Sequence, residues 1–554
     1  MPCLRDPGSN RIVTRADFAA ILVFVLVAAG VQFGRWAEQY PFLYGDAGNV
    51  ASFAAAWDHP ELFSNDNLLG NPEHFRFYAS IHVPLIRWLG WITGDYAIAF
   101  TGLLGPLVLV QAVGFYIFAR MLYRRRLWAV LLAIAGLMLV PLNLGTFWGI
   151  YRDPISRVLF QALLPYLLAG AYYWRRAPAF SPIAMILAGL LIYVHPPGAP
   201  AWALALWLGM WLYHPAAWSW KKRFVIMFAL GLVFLAIAAP FAVHYTLHHA
   251  HGPTADYEQV HRIAEHRFST GFLNVPAAVM EFLRLSGKYF IGPLGLVGWL
   301  LMHWRRRQKL RELLLLDAWL AGVAITAILI PFTEQQVARA MHSMPLQVDL
   351  TRNLRFFVPF MLIFSLWPLV ELDHLLTNRR LGRIPGAFYP AVIGVVLVGI
   401  WVAWRAPAMQ PVHAARCWLE GHVSQGQLER AAAFDMLQHI RAETKPGERI
   451  MPFDFRRVLA LRYYARRPVV WCEKDGGLLA YTDYPALLAW HETEQRMWVI
   501  DNLNSKQERT RARLELSRGL GAEYMLLKNS DLDPTAIPEA QVTYTNDTYT
   551  LLRL

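Results

Sequence analysis

Three groups of charged residues have the types and spacing to do chemistry. The stretch YGDAGNVASFAAAWDHPELFSND, starting at Tyr44, carries Asp46, Asp58 and Asp66 directly after the first long apolar run. A second acidic position, Asp153, stands in FWGIYRDPISR with Tyr151, Arg152 and Arg157 around it. The third group, TEQQVARAMHSMPLQVDLTRNLRFF, supplies Glu334, Arg339, His342, Asp349, Arg352 and Arg355. Carboxylates held away from bulk water gain proton affinity, which suits a general base, or they share a divalent cation. Arginines three apart share a helical face and can grip a phosphate with forked donors.

Plainer readings stand beside these. Asp46, ahead of AGNVASFAAAW, has the position of an N-cap on a short helix lying on a membrane, with Val50, Phe53 and Trp57 to one side. Asp153 precedes Pro154, and proline suits the first position of a helix, so it too has a capping signature. Arginines at an interface also snorkel toward headgroups. In VHPPG the prolines stop a helix, which makes His195 a boundary residue as well as a candidate ligand. The segment HYTLHHAHGPTADYEQVHRIAEHRF holds His244, His248, His249, His251, His261 and His266, but no HExxH or fixed tetrad, and reads as a solvated or amphipathic loop.

The elements that must position these groups are membrane helices. With 56% hydrophobic and 16% charged residues among 554, the chain has more apolar surface than a soluble core needs, and lipid must cover part of it. Apolar runs predict about eleven spans, near 18–35, 97–119, 127–142, 156–174, 182–195, 198–213, 224–243, 289–304, 314–332, 354–371 and 386–404. The net charge of +13 is spread in short clusters between them, at Arg124–Arg126, Arg175–Arg176, Lys221–Arg223, Arg305–Arg311 and Arg379–Arg383. These fall in every second loop, on the side of the basic N-terminus. That pattern marks a cytoplasmic face and argues against nucleic acid as a partner.

Residues 1–404 are thus expected to form a transmembrane domain with external loops 35–96, 143–155, 244–288 and 333–353. After about Arg405 the periodicity changes. A helical pattern over 427–444, RIMPF and PVVW as short strands, and AEYMLLK, QVTYT and TYTLLRL after two polar helical stretches predict an external α/β domain over 405–554. Cys417 and Cys472 would lie in an oxidising compartment, where spacing alone leaves their pairing open.

This layout resembles the GT-C superfamily of membrane glycosyltransferases, which use polyprenyl-phosphate-linked sugars. The similarity rests on the N-in bundle of many spans, the long first external loop with an early acidic residue (Asp46 in YGDAGNV), the second acidic position (Asp153 in YRDP) and the external C-terminal domain. It implies an inverting transferase in a bacterial cytoplasmic membrane, moving a sugar from a polyprenyl-phosphate carrier to a lipid, glycan or protein acceptor. Asp46 would be the base or would bind a divalent cation, Mg or Mn, that assists it, and Asp153 a second acidic ligand or orienting group.

The donor phosphate falls on chemical grounds to Arg352, Arg355 and Arg152. Tyr44, His195, Glu334 and His342 are candidate substrate or metal contacts. Two other classes compete. A transporter or flippase would place ionisable groups inside the spans, where Gln111, Gln161 and Asp317 are the main polar residues. A polymerase or ligase of lipid-linked glycans would lean on arginines rather than on a first-loop carboxylate.

Overall fold

The computed structural model describes residues 15–378 and 419–554, less 39, 44, 124, 144–145, 150–152, 176, 216, 251–255, 269–272, 289–290, 306–309, 347–349, 422–424 and 538. Five helices among these are long and apolar enough to cross a membrane: Arg15–Trp36, Tyr96–Leu122, Trp220–Leu247, Arg311–Ala340 and Leu350–Asp373. Each contains a run expected from hydropathy.

The other expected spans differ in form. The run at 289–304 is one arm of a pair, Val275–Lys288 and Ile291–Trp304, bent by 87°. The run at 127–142 stops as a helix at Leu137, and a hairpin of strands β1 (Val140–Asn143) and β2 (Thr146–Trp148) follows. Helices Ser156–Tyr173, Ser181–Leu190 and Gly198–Trp211 pack in the same bundle. The span expected at 386–404 lies outside the described residues.

The helix Asp46–Asp58 corrects the sequence reading. It does not lie on a surface: every residue from Ala47 to Ala56 is buried. AGNVASFAAA is small or apolar on all sides, and a helix without a polar face packs inside. Gly48 permits the close approach, since a Cβ there would meet Leu459 Cδ1 at 2.7 Å.

The tail carries a four-stranded sheet, β3 (Ile450–Pro452), β4 (Tyr524–Lys528), β5 (Gln541–Thr545) and β6 (Tyr549–Arg553), in the order β3-β4-β6-β5. β3 runs parallel to β4, and the other pairs are antiparallel. PVVW forms only an isolated bridge, Val469 to Ile450, rather than a strand. The period of two splits the sheet between two cores. Ile450, Tyr524, Leu526 and Leu551 join the large core shared with the bundle, together with Met436 and Ile440 of helix Gln425–Glu443. Met451, Met525, Leu527 and Leu552 pack instead with Ile500, Leu514 and Leu516. The tail therefore shares a hydrophobic core with the membrane helices.

Polar contacts fix the same docking. Arg462 is buried between two carboxylates, with Nη2 2.8 Å from Asp66 Oδ1 and Nη1 2.7 Å from Asp475 Oδ1. Asp66 also accepts from the backbone amides of Leu68, Leu69 and Val469. A charge taken out of water is tolerated only when its hydrogen bonds are met in this way.

Candidate functional site

Asp46 is the first residue of its helix and not the cap. Gly45 occupies the N-cap at φ 55° and ψ −127°, and no side chain caps the helix. Glycine alone adopts that backbone without strain. Released from capping, the Asp46 carboxylate faces Arg157, whose Nη2 lies 3.5 Å from Oδ2.

Cations from four separate segments act on this carboxylate. They are Arg157 at the start of helix Ser156–Tyr173, Lys474 just before helix Asp475–Thr482, Arg352 in the short helix Leu350–Phe356, and Arg267 near the end of helix Tyr257–Phe268. Asp46 is deep among protein atoms, although its side chain keeps 42% of its exposure. Burial pushes its carboxyl up, but the four cations outweigh this and hold it below the usual carboxylate range. The raised proton affinity expected from the sequence is thus reversed, because the partners are guanidinium and ammonium groups.

Local structure sets each cation. The Arg157 guanidinium lies 4.1 Å above the Phe147 ring in β2. Leu350–Phe356 is a 3-10 helix, in which residues three apart eclipse, so Arg352 and Arg355 do share a face. Arg355 Nε donates to the Arg352 carbonyl at 2.7 Å, and Asn353 Nδ2 donates to the Pro197 carbonyl at 2.6 Å, which fastens this turn beside His195. Lys474 stands over Gly45, where an added Cβ would lie 3.8 Å from its Nζ. Arg267 stands over Gly477, where a Cβ would lie 3.6 Å from Nη2.

Two hydrogen-bonding groups complete the site. His195 is buried beside Phe160, and its Nδ1 accepts from the Gly198 amide at 3.0 Å, which leaves the proton of the neutral ring on Nε2. Its charged neighbours are Arg355, Arg157 and Arg352. Tyr78 lies within hydrogen-bond distance, 3.3 Å, of Ser156 Oγ, and feels Asp46, Arg157 and Arg352. Burial pushes its hydroxyl up to about 12, so it keeps its proton at neutral pH.

Tyr78 is also a wall of the large cavity next door. This groove, of about 1150 Å³, is lined mainly by apolar side chains such as Phe75, Leu163, Leu167, Leu187 and Leu191. It runs between helices His82–Thr93, Ser156–Tyr173 and Ser181–Leu190, and His244 and His248 also line it.

The other expected site residues have contacts of their own. Asp153 is not a cap, since Ile155 is the N-cap and Asp153 instead accepts from Arg35 Nη2 at 3.1 Å. Arg35 also holds Glu38 at 2.6 Å, and Glu38 meets Arg430 of the tail at 3.3 Å, so Asp153 belongs to a buried network joining three segments. Glu334 accepts from the Leu346 amide at 2.7 Å, closing its own loop. His342, at φ 50°, follows the C-cap Met341 of helix Ile330–Ala340, its ring 5.7 Å from that of Tyr257. Asp58 holds Arg87 and Tyr96, each at 2.7 Å. Tyr44, Tyr151, Arg152, His251, Asp349 and Cys417 lie outside the described residues, and Cys472 is buried.

Among the described residues no group of three or more His, Cys, Asp or Glu side chains could hold a metal ion. One carboxylate with a guanidinium at 3.5 Å and three further cations acting on it is a donor set that suits an anion and does not fit Mg or Mn. The sequence reading missed Tyr78, Ser156, Arg267 and Lys474. A lysine beside paired glycines in EKDGG is a pattern that can meet an anion, but no spacing ties it to a residue more than four hundred positions away. No protein-family model matches the chain, and no curated protein matches it.

Proposed function

We propose that this chain is a membrane glycosyltransferase of the GT-C kind, which moves a sugar from a polyprenyl-phosphate-linked donor to a lipid, glycan or protein acceptor on the outer face of a bacterial cytoplasmic membrane. The observation that carries the reading is the junction at Tyr78: an apolar groove meets a cluster of cations around one carboxylate. That pairing suits an amphiphile with a long hydrocarbon tail and an anionic head. The eleven-span topology, with the N-terminus inside and the tail outside, rests on the alternation of basic loops.

In this reading the prenyl chain lies in the groove, and Arg157 and Arg352 hold its phosphate. The acceptor oxygen attacks the anomeric carbon, the bond from that carbon to the phosphate oxygen breaks, and the electron pair leaves with the phosphate. Asp46 takes the acceptor's proton. In the free protein it serves the cations as a resident anion. Once the donor's phosphate engages them, they depress its proton affinity less, and it becomes a better base. Growing charge on the leaving phosphate meets preorganised cations, which is where electrostatic stabilisation is most effective.

Conduction is less well supported. Gln111 donates to the Gly136 carbonyl at 2.8 Å, Gln161 accepts from the Gly149 amide at 3.0 Å, and Asp317 is held by His303 and Trp299. All three polar residues act as local structural ties. The test is transfer itself: purified protein in detergent or vesicles, given extracted polyprenyl-linked sugars and a set of acceptors, should release the free carrier and form glycosylated product. Release of no carrier with any acceptor, by folded protein, would falsify the reading.

A further inference from the structure

His74 stands where the first loop, the tail and the wall of the groove meet. It is buried in the short helix Glu73–Arg76, which packs against helix Asp475–Thr482 of the tail. Phe75 and Arg76, the next two residues, line the groove, as does Tyr78. Phe77 stacks on Tyr481 of the tail, with ring centroids 5.2 Å apart.

The atoms around the imidazole define what each nitrogen can do. Nδ1 lies 3.2 Å from the Leu68 carbonyl oxygen, which only accepts, so Nδ1 carries a proton. Nε2 has two neighbours of opposite kind: Asp483 Oδ2 at 3.1 Å accepts, and Asn71 Nδ2 at 3.3 Å donates. The Asn71 amide is held in that orientation, because its Oδ1 accepts from the Glu73 amide at 3.1 Å. As an imidazolium the ring donates from Nε2 to the tail, and as a neutral imidazole it accepts there from its own loop. In the neutral ring the Nε2 lone pair faces the Asp483 carboxylate, and that contact turns repulsive.

The other charges in the neighbourhood have partners of their own. Asp483 Oδ1 accepts from the Ala486 amide at 2.9 Å and caps helix Tyr484–Asp501. Asp475, which the His74 charge also reaches, is held by Arg462 at 2.7 Å, and Asp66 by the same guanidinium at 2.8 Å. On the short helix itself, Glu73 lies 2.5 Å from Arg76 Nη1 and 2.6 Å from His248 Nδ1, and the Arg76 carbonyl accepts from His244 Nε2 at 2.8 Å. Helix Asp46–Asp58 meets this segment through Phe53 and Trp57, which pack on Phe75.

We propose that His74 is a proton-operated latch between the first loop and the tail. With both nitrogens protonated it ties Asp483 to the segment that forms the groove wall. On losing the Nε2 proton it exchanges Asp483 for Asn71, and the tail contact loosens. The charged ring exists at lower pH, so the tie is present there and is lost as pH rises through the range, about pH 5 to 8, in which imidazoles change charge. The change reaches the groove because Phe75, Arg76 and Tyr78 follow on the same stretch of backbone. The latch is independent of which ligand fills the groove.

The experiment follows backbone hydrogen exchange of the full chain in lipid nanodiscs from about pH 6 to about pH 8, read as protection relative to the intrinsic rate at each pH, over residues 68–78 and 479–487. In the parent, protection of both segments is expected to fall by about tenfold across that range, the equivalent of one charge-assisted hydrogen bond. His74→Gln keeps a donor that does not titrate, and its protection should stay level. Asp483→Asn keeps a capping oxygen and presents an amide donor to the neutral ring, so its protection should rise with pH instead. His248→Gln, at the neighbouring pair with Glu73, should respond as the parent does. Protection in the parent that does not change with pH overturns the latch. So does a fall that either His74→Gln or Asp483→Asn leaves in place, and so does a response that His248→Gln removes.

Discussion

Asp46 faces Arg157 at 3.5 Å, and the two come from parts of the chain more than a hundred residues apart. The contact joins the first buried helix after the opening span to the helix that follows the β1–β2 hairpin. The cation keeps the carboxylate ionised, and in the proposed function the carboxylate compensates the cation until the anionic donor arrives.

Arg157→Gln removes the nearest of the four cations. A charge-assisted hydrogen bond is worth about 1.5–3 kcal/mol, so the KM for a prenyl-phosphate donor is expected to rise by roughly ten- to a hundredfold. The pH profile should move as well. With Arg157 present the Asp46 carboxyl is held below its usual range, and it stays ionised well into acid. Without Arg157 its proton affinity rises, and the acid limb of kcat/KM should shift to higher pH. An acid limb unchanged by the substitution would dissociate Asp46 from the profile.

Asp153→Asn is expected to behave as a structural change. Its partner Arg35 keeps Glu38 at 2.6 Å, yet loses one buried ionic contact, so stability should fall by about 1–3 kcal/mol while the transfer rate of folded protein stays near that of the parent. Thermal unfolding and single-turnover kinetics on the same preparation separate the two effects. A large loss of rate in protein of unchanged stability would return Asp153 to the site.

Gly45→Ala tests how Asp46 is aimed. The backbone at φ 55° and ψ −127° strains any residue with a Cβ by about 1–3 kcal/mol. Relief of that strain would rotate the start of the helix, so activity should fall by more than the melting temperature suggests. Activity in proportion to folded protein would show that the orientation of Asp46 is not set there.

Arg462→Leu removes the cation from between two buried carboxylates. Leaving charges buried and unpaired costs about 3–5 kcal/mol, which predicts release of the tail and its faster digestion by a protease. Unchanged protease resistance would mean that the shared hydrophobic core is enough to hold the tail.

Leu191→Trp narrows the groove wall without touching a charged group. The expected effect is a higher KM for a long-chain prenyl carrier and unchanged affinity for inorganic phosphate. If both ligands respond alike, the prenyl chain lies elsewhere.

The sequence made the apolar helices legible because a run of some twenty residues must either cross lipid or be buried whole, and Arg15–Trp36 and Trp220–Leu247 show it directly. It was less informative where apolar character and secondary structure part company. The run ending at 142 turns into a hairpin strand carrying Pro141, and AGNVASFAAA becomes a core helix, because nothing in hydropathy distinguishes burial in lipid from burial in protein.

The site was legible in part for a similar reason. Asp46, Arg352 and Arg355 drew attention by residue type and local spacing. Asp153 drew the same attention and proved to be Arg35's partner, and Lys474 drew none, because the pairing of a charge with a distant segment is a property of the tertiary fold. The capping signature misled at both aspartates. Gly45 and Ile155 hold the N-cap places, and only a backbone angle reveals that.

The most direct measurement compares Asp46→Asn with the parent in a transfer assay using a polyprenyl-linked sugar, with both proteins shown to be folded at the assay temperature. Asp46 caps no helix amide, but its charge stabilises the fold because its carboxyl is held below the usual range, so the substitution should lower the melting temperature. Loss of a general base is expected to slow turnover of the folded protein by about a hundredfold or more. Turnover equal to the parent, by protein that binds donor normally, would contradict the account.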